Sequence, residues 1–273
     1  MTGLVHVLRR KGAGVLGRDF PATRSLLRGY QNAFGVPSFR AQIFWQSLLA
    51  FVEGPSRMRI LDVGCGGGAF AIGIAKAFPS ATITAIDRDP RALESARALA
   101  TFTGVTSVEF VQTRFEEMSD ESFDFVIALG VLEFAPDPRD WISRLIKHTT
   151  DEGVVIFTAP QRNGSRPTLA SSSGFEIGQL ELWMHEGGCS SIVVREIARG
   201  PNRAVYRASQ AMQSHRWLGL ALYPLTLPLV FLDGRLRGRG ELLFCRGERL
   251  PDWGSAPRTE VSVTEPLTPE RHS

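Results

Sequence analysis

The chain has little that would hold it together covalently or through a metal. Its three cysteines, Cys65, Cys189 and Cys245, are far apart and odd in number. They offer no disulfide framework and no metal-ligand spacing, so free thiols in a reducing compartment are expected. A net charge of +3 is too small to imply a nucleic-acid partner. The first basic cluster, Arg9-Arg10-Lys11, follows a short apolar start instead of preceding it, the reverse of a secretory signal. Acid is scarce in the opening segment, where Asp19 stands among arginines, a composition that also suits an organelle transit peptide. No uncharged run reaches the roughly 20 apolar residues of a bilayer span. What these absences leave is a cytoplasmic globular chain. At 273 residues, 43% hydrophobic and 22% charged, it is long enough for one elaborated domain.

The most informative stretch is Ile60-Leu61-Asp62-Val63-Gly64-Cys65-Gly66-Gly67-Gly68-Ala69-Phe70. A β-favouring apolar entry runs into glycines, and an alanine-rich apolar segment follows. That order predicts strand, tight turn and helix. Glycine permits positive φ and lets a ligand approach bare backbone. The N–H groups that open the helix have no intrahelical partner and favour electron-rich ligand atoms.

Two ligand classes fit this turn. Gly64-x-Gly66-x-x-Ala69 satisfies the dinucleotide fingerprint, so a nicotinamide or flavin cofactor is one reading. Three features favour a different nucleoside. Asp62, two residues before the first glycine, suits a cationic ligand group or the turn's own N–H groups better than a pyrophosphate. The turn also carries an additional glycine, Gly67. Finally, a second strand, Thr82 to Ile86, ends in Asp87, close to the spacing of roughly 20 residues expected of an acid that bonds ribose hydroxyls.

Together these residues resemble motif I of the class I S-adenosylmethionine-dependent methyltransferases. The likeness extends through Asp87-Arg88-Asp89-Pro90, Phe123-Asp124-Phe125-Val126-Ile127-Ala128 and Val131-Leu132-Glu133-Phe134. It covers about Arg57 to Ala198 and is nearest to the small-molecule branch that includes quinone-biosynthesis enzymes. The resemblance implies S-adenosyl-L-methionine as cofactor. Asp62 would orient the turn and help hold the cofactor's amino group. Gly64, Cys65 and Gly66 would line its methionine and ribose portion. Asp87 would take both ribose hydroxyls, with Arg88 flanking the adenine. Where family members often carry Gly-Asp-Ala, this chain has Thr113-Arg114-Phe115, so Thr113 or backbone groups would meet the adenine and Phe115 would stack on it; in a shifted alignment Glu116 or Glu117 supplies the acid. Leu129 and Gly130 would lie beside the methionine part. Phe134 replaces a histidine common in the family. Glu133 reads as an exposed helix-start carboxylate or a base, and no catalytic residue is assigned. No metal is expected.

The rest of the chain fits an α/β, Rossmann-like, doubly wound sheet of seven strands, mostly parallel with an antiparallel last strand. Residues 1–55 read as an N-terminal arm, with a short helix around Thr23 to Phe34, followed by a helix from Phe39 to Val52 that Ser38 caps. That second helix is either a lid or a packing element. Residues 56–250 read as the methyltransferase domain. Strands are expected at about Arg59–Val63, Thr82–Ile86, Ser107–Gln112, Phe123–Leu129, Val154–Thr158, Ser190–Ala198 and Glu241–Arg246. Between them, Asp89-Pro90 and Pro138 open helices, Gly153 closes the segment that Pro138 begins, and Phe175 to His185 forms another helix. Residues 251–273 read as a disordered tail.

One segment departs from the plain fold. The link of about 200–240 contains an uncharged run, Trp217 to Leu232, followed by Arg235, Arg237 and Arg239. Pro224 and Pro228 break any continuous helix there. Residues 217–239 read as a peripheral contact with the inner face of a membrane, a wall for a greasy substrate, a dimer face, or an addition to the core. The expected acceptor is a small apolar or lipid-like molecule. The alternatives are an NAD(P)-dependent oxidoreductase and a catalytically silent cofactor-binding subunit.

Overall fold

The computed structural model describes residues 39–49, 57–162, 174–211, 228–229 and 232–251. Ser38, the expected N-terminal arm, residues 50–56 and 163–173, most of the apolar run and the expected disordered tail lie outside the described residues.

Seven strands form one sheet: β1 (Arg59–Val63), β2 (Thr82–Asp87), β3 (Val108–Gln112), β4 (Phe123–Ala128), β5 (Thr149–Pro160), β6 (Cys189–Ile197) and β7 (Leu242–Arg249). Their order is β3-β2-β1-β4-β5-β7-β6. β1 pairs in parallel with β2 and β4, and β4 with β5. β7 is antiparallel to both β5 and β6. The doubly wound sheet and its antiparallel last strand are as the sequence predicts.

Among the described residues the α-helices are α1 (Phe39–Leu49), α2 (Ala69–Ala77), α3 (Pro90–Thr103), α4 (Pro138–Lys147), α5 (Ile177–Glu186) and α6 (Pro201–Ala211). Sequence punctuation sets several of their ends. Asp89 accepts the Arg91 N–H at the start of α3, with Pro90 in the first turn and Gly104 at φ 71° past the end. Asp137 accepts from Arg139 and Asp140 at the start of α4.

Alternation along the strands divides the interior into two layers. Ile60, Ile127, Ile156 and Phe244 face α1, α2 and α6, while Leu61, Val126, Val155 and Leu243 face α4 and α5. Burial on both faces explains why the strands are almost continuously apolar. α1 packs into the first layer through Ile43, Phe44 and Leu48. Its Trp45 covers Gly73 of α2, where a Cβ would lie 3.1 Å from the indole. Ser47 O accepts from Arg195 Nη2 at 3.2 Å. The described part of this element thus packs against α2 and β6.

Four local expectations need correction. β5 begins at Thr149, so Gly153 lies inside the strand and does not close a helix. The reason is a register shift against β4 between Phe123 and Phe125, which lets Glu152 adopt φ 64° and absorb the irregularity. β7 runs on to Arg249 because β6 keeps pairing with it through residues that are no longer apolar. Phe175 is not helical; it bridges Gln161, and α5 starts at Ile177. The link after β6 opens with α6, a helix that the sequence reading left out.

Candidate functional site

The strand order reverses between β1 and β4, the place where open α/β sheets bind ligands beyond the carboxyl ends of their strands. The glycine turn lies there. Gly64, Gly66 and Gly68 adopt φ of 68°, 53° and 74°, left-handed values open to glycine at little cost. Gly67 does not share this requirement. Cys65 N–H donates to Ile86 O and Gly68 N–H to Cys65 O, both at 2.9 Å, which fixes the turn against β2. Gly64 also has a steric need, since a Cβ there would sit 2.4 Å from Val131 Cγ1. Helix α2 follows with no side-chain cap at Gly68.

Two carboxylates bracket the turn. Asp62 is buried on β1, facing the first turns of α2, and among the described residues its Oδ2 has no hydrogen-bond partner. Burial pushes its carboxyl up to about 7; an Ala71 backbone hydrogen bond opposes this and nearby Asp87 adds to it. A buried carboxylate oxygen with no partner is costly and fits a cationic ligand group. Asp87 ends β2, where its Oδ2 accepts the Gly66 N–H and its Oδ1 the Asp89 N–H, each at 2.8 Å. Each oxygen keeps a further lone pair for a ligand hydroxyl.

Beside the turn is a cavity of about 360 Å³, within the range of small-ligand sites. Of the expected cofactor residues, Gly64, Asp87, Arg88, Thr113, Arg114 and Phe115 line it. Asp62, Cys65, Gly66 and Leu129 do not. Cys65 and Leu129 are buried in the core layer below, and burial raises the Cys65 thiol far above its ordinary value, so it is no nucleophile. Gly130 and Val131, next to Leu129, reach the cavity instead. Phe115 is an interior ring, 4% exposed, that packs edge-on against Trp141 at 5.1 Å and tilted against His148 at 5.5 Å. It therefore forms cavity floor and is no free stacking platform.

The far wall is apolar: Val131, Phe134, Pro136 and Trp141. Trp141 Nε1 donates to Glu116 Oε1 at 2.8 Å, which holds that carboxylate at the cavity. Glu117 turns away and lies 3.9 Å from Arg114 on the surface. The sequence reading had Val131 only as part of a family motif and Trp141 only on the apolar face of the helix that Pro138 opens, neither as a site residue. An apolar residue on an amphipathic helix looks like core, and only the fold brings Trp141 across to Glu116. Glu133 does not line the cavity. His148 lies behind Phe115 with Nδ1 2.7 Å from Glu121 O. Among the described residues, no group of three His, Cys, Asp or Glu side chains could hold a metal ion.

Comparison with known proteins bears on the family and the fold. A family model described as "Methyltransferase domain" matches residues 55–198. The chain belongs to this methyltransferase family. The methyltransferase is 32% identical over 146 residues to the ubiquinone biosynthesis O-methyltransferase of Paracidovorax citrulli, covering 52% of this chain and 59% of that one. It is 37% identical over 108 residues to the same-named enzyme of Rickettsia conorii, covering 39% and 36%. The chain thus spans less than two thirds of the length of these curated relatives. Among solved structures, phosphoethanolamine N-methyltransferase 2 of Haemonchus contortus, in complex with S-adenosyl-L-methionine, matches at TM-score 0.56 and 17% identity, over 86% of this chain and 59% of that one. The Bacillus subtilis YcgJ protein matches at TM-score 0.50 and 13% identity, over 77% and 98%. These structures share the fold.

Proposed function

We propose that this chain transfers a methyl group from S-adenosyl-L-methionine to a small apolar acceptor, a hydroxylated quinone precursor or similar lipid-like phenol. One observation carries the reading: the partnerless Oδ2 of buried Asp62 beside a left-handed glycine turn that Asp87 grips by its backbone. That pairing suits a ligand with an ammonium at one end and ribose hydroxyls in the middle. A pyrophosphate would face carboxylates where it needs donors, which counts against a dinucleotide. The names of the curated relatives support oxygen as the attacked atom and a quinone-class acceptor.

The donor supplies an electrophilic methyl group on a sulfonium. The acceptor oxygen forms the new bond to carbon, the sulfur–carbon bond breaks with its electron pair left on sulfur, and the acceptor's proton passes to solvent. The protein's part is to bind, align and exclude water. The turn and Asp87 would hold the nucleoside, Asp62, behind the turn and outside the cavity lining, would draw the cationic end toward it, and the wall of Val131, Phe134 and Trp141 keeps the cavity apolar.

Titration with S-adenosylhomocysteine and with NADH tests the cofactor. Micromolar binding of the first with none of the second is expected; tight NADH binding alone overturns the reading in favour of an oxidoreductase. Incubation with radiolabelled methyl donor and a quinone-precursor extract tests the activity. Label retained in the donor, despite tight S-adenosylhomocysteine binding, identifies a silent cofactor-binding subunit instead.

A further inference from the structure

Buried polar atoms without partners are few in folded proteins, and each calls for a reason. Among the described residues, Asp62 Oδ2 is one, matched to the donor's cationic group. Asn202 Oδ1, in α6, is another. Its Nδ2 donates to Leu229 O at 2.8 Å and to Asp233 Oδ1 at 2.7 Å. Asp233 also accepts from the Ala198 and Arg199 N–H groups, at 2.9 and 2.8 Å, so this cluster ties down the link between β6 and β7. Gln161 Oε1 is a third orphan, and it stands at the ligand edge of the sheet.

Gln161 follows Pro160, the last residue of β5. Its backbone N–H donates to Glu241 O at 3.2 Å, and the next N–H, of Arg162, to Phe175 O at 2.8 Å. The side chain is held as well. Its Nε2 donates to Glu196 Oε1, near the carboxyl end of β6. Glu196 Oε2 in turn accepts the Gly240 N–H at 2.9 Å. A carboxylate can face only the NH2 end of a primary amide, so Glu196 decides which way the amide points. The carbonyl oxygen is left turned away from Glu196, buried and without a partner. A buried acceptor in that condition is costly and fits a hydrogen-bond donor brought by a ligand.

We propose that Gln161 Oε1 accepts a hydroxyl of the methyl acceptor, with Glu196 as its positioning residue. This rests on the methyl transfer to a phenol proposed for the chain. The order of the strands says which end of the donor lies nearest. Asp87, the ribose acid, ends β2, and Thr113 to Glu116 follow β3 on the base side. Asp62, for the cationic end, is on β1. The donor therefore runs from β3 towards β4, and its methyl group faces the carboxyl ends of β4 and β5. Thr158 Oγ1 joins those ends by accepting the Gly130 N–H at 2.8 Å, and Gln161 stands just beyond, at the rim that the acceptor must cross. The chemistry narrows the acceptor further. The attacked oxygen gives up its proton, and a neutral amide cannot take one. The hydroxyl that Gln161 holds is thus a second one on the same ring, and the acceptor class is a catechol or related diphenol. A site built to bond a substrate hydroxyl rejects the analogue that lacks it, because its buried group is again left unpaired.

Calorimetric titration of the full chain, saturated with S-adenosylhomocysteine, tests this with two probes, tert-butylcatechol and tert-butylphenol. Wild type should bind the catechol about tenfold more tightly than the phenol. Gln161→Met should bind both alike and keep its S-adenosylhomocysteine affinity. Glu196→Gln is the milder test. Its carbonyl can still accept the Gly240 N–H, and its NH2 then faces Gln161, whose amide must turn over. This variant should keep its melting temperature and its S-adenosylhomocysteine affinity and lose the preference for the catechol. Wild type that binds the two probes alike, or neither, overturns the inference, and so does either variant with the wild-type preference. Wild type that prefers the catechol in binding, yet moves no label to it from radiolabelled methyl donor, supports the hydroxyl site and overturns methyl transfer. Equal methylation of both probes does the reverse.

Discussion

Asp87 Oδ2 accepts the Gly66 N–H across the gap between the ends of β2 and β1, at 2.8 Å. The acid proposed to take the ribose thus also shapes the turn before any ligand arrives. Replacing it removes the proposed ribose contact and two backbone hydrogen bonds, the other being to Asp89 N–H. Hydrogen bonds to charged groups are worth about 1.5–3 kcal/mol each. Asp87→Ala should weaken S-adenosylhomocysteine binding by a hundredfold or more, and Asp87→Asn, which keeps one acceptor, by less. Calorimetric titration measures both, and faster hydrogen exchange at the Gly66 amide of Asp87→Ala, without ligand, should accompany the loss. Unchanged exchange would separate the two roles.

Gly64 and Val131 are a second pair in contact. A Cβ on Gly64 would come 2.4 Å from Val131 Cγ1, at a φ of 68°. Gly64→Ala therefore meets overpacking and backbone strain together, roughly 2–4 kcal/mol in sum. Val131→Ala in the same chain should recover the steric share and leave the strain. Denaturant melts of the two single variants and the double check this; strict additivity would mean that the contact has no energetic weight.

Thr158 holds the other side of the same wall. Its Oγ1, fully buried on β5, accepts the Gly130 N–H at 2.8 Å, and Gly130 sits at φ 70° just before Val131. Thr158→Val leaves that N–H without its partner, at a cost of about 1–3 kcal/mol. Thr158→Ser keeps the acceptor and should restore most of the stability and the S-adenosylhomocysteine affinity. Valine and serine variants that bind equally well would remove Thr158 from the positioning of the site.

How much of this was legible beforehand depended on the distance over which the cause acts. The glycine turn, Asp87 and the Asp89-Pro90 start of α3 are local, and the sequence carried them. The partners of Asp233 are 31 to 35 residues away and Glu116 is 25 from Trp141. No short-range pattern marks such pairs. Thr158 in an apolar run reads as a β-branched strand residue, and its hydroxyl acquires meaning only when β5 lies beside β4. α6 was obscured by the arginines that make one face of it polar. Phe115 and Leu129 were placed in the site by position along the motif, whereas Phe115 packs as cavity floor against Trp141 and Leu129 is buried in the core layer below.

The buried carboxylate of Asp62 makes stability and binding respond to pH in opposite directions. Its folded value of about 7 lies above the ordinary 3.8 because burial disfavours the charge. Between these values the folded chain holds a proton that the unfolded chain has released. Stability from this group is therefore fully present below pH 4 and is lost as pH rises to about 7, by an amount on the order of 4 kcal/mol. A cationic ligand group beside Asp62 favours the carboxylate, so S-adenosylhomocysteine should bind more tightly as pH rises from 6 to 8 and should release a proton on binding. Titration calorimetry in two buffers of different ionisation enthalpy reads that proton directly. Asp62→Asn should abolish the release, weaken binding at pH 8 and raise the melting temperature there. A variant that loses affinity without gaining stability, or wild-type protein that releases no proton, would leave the orphaned oxygen without its proposed partner.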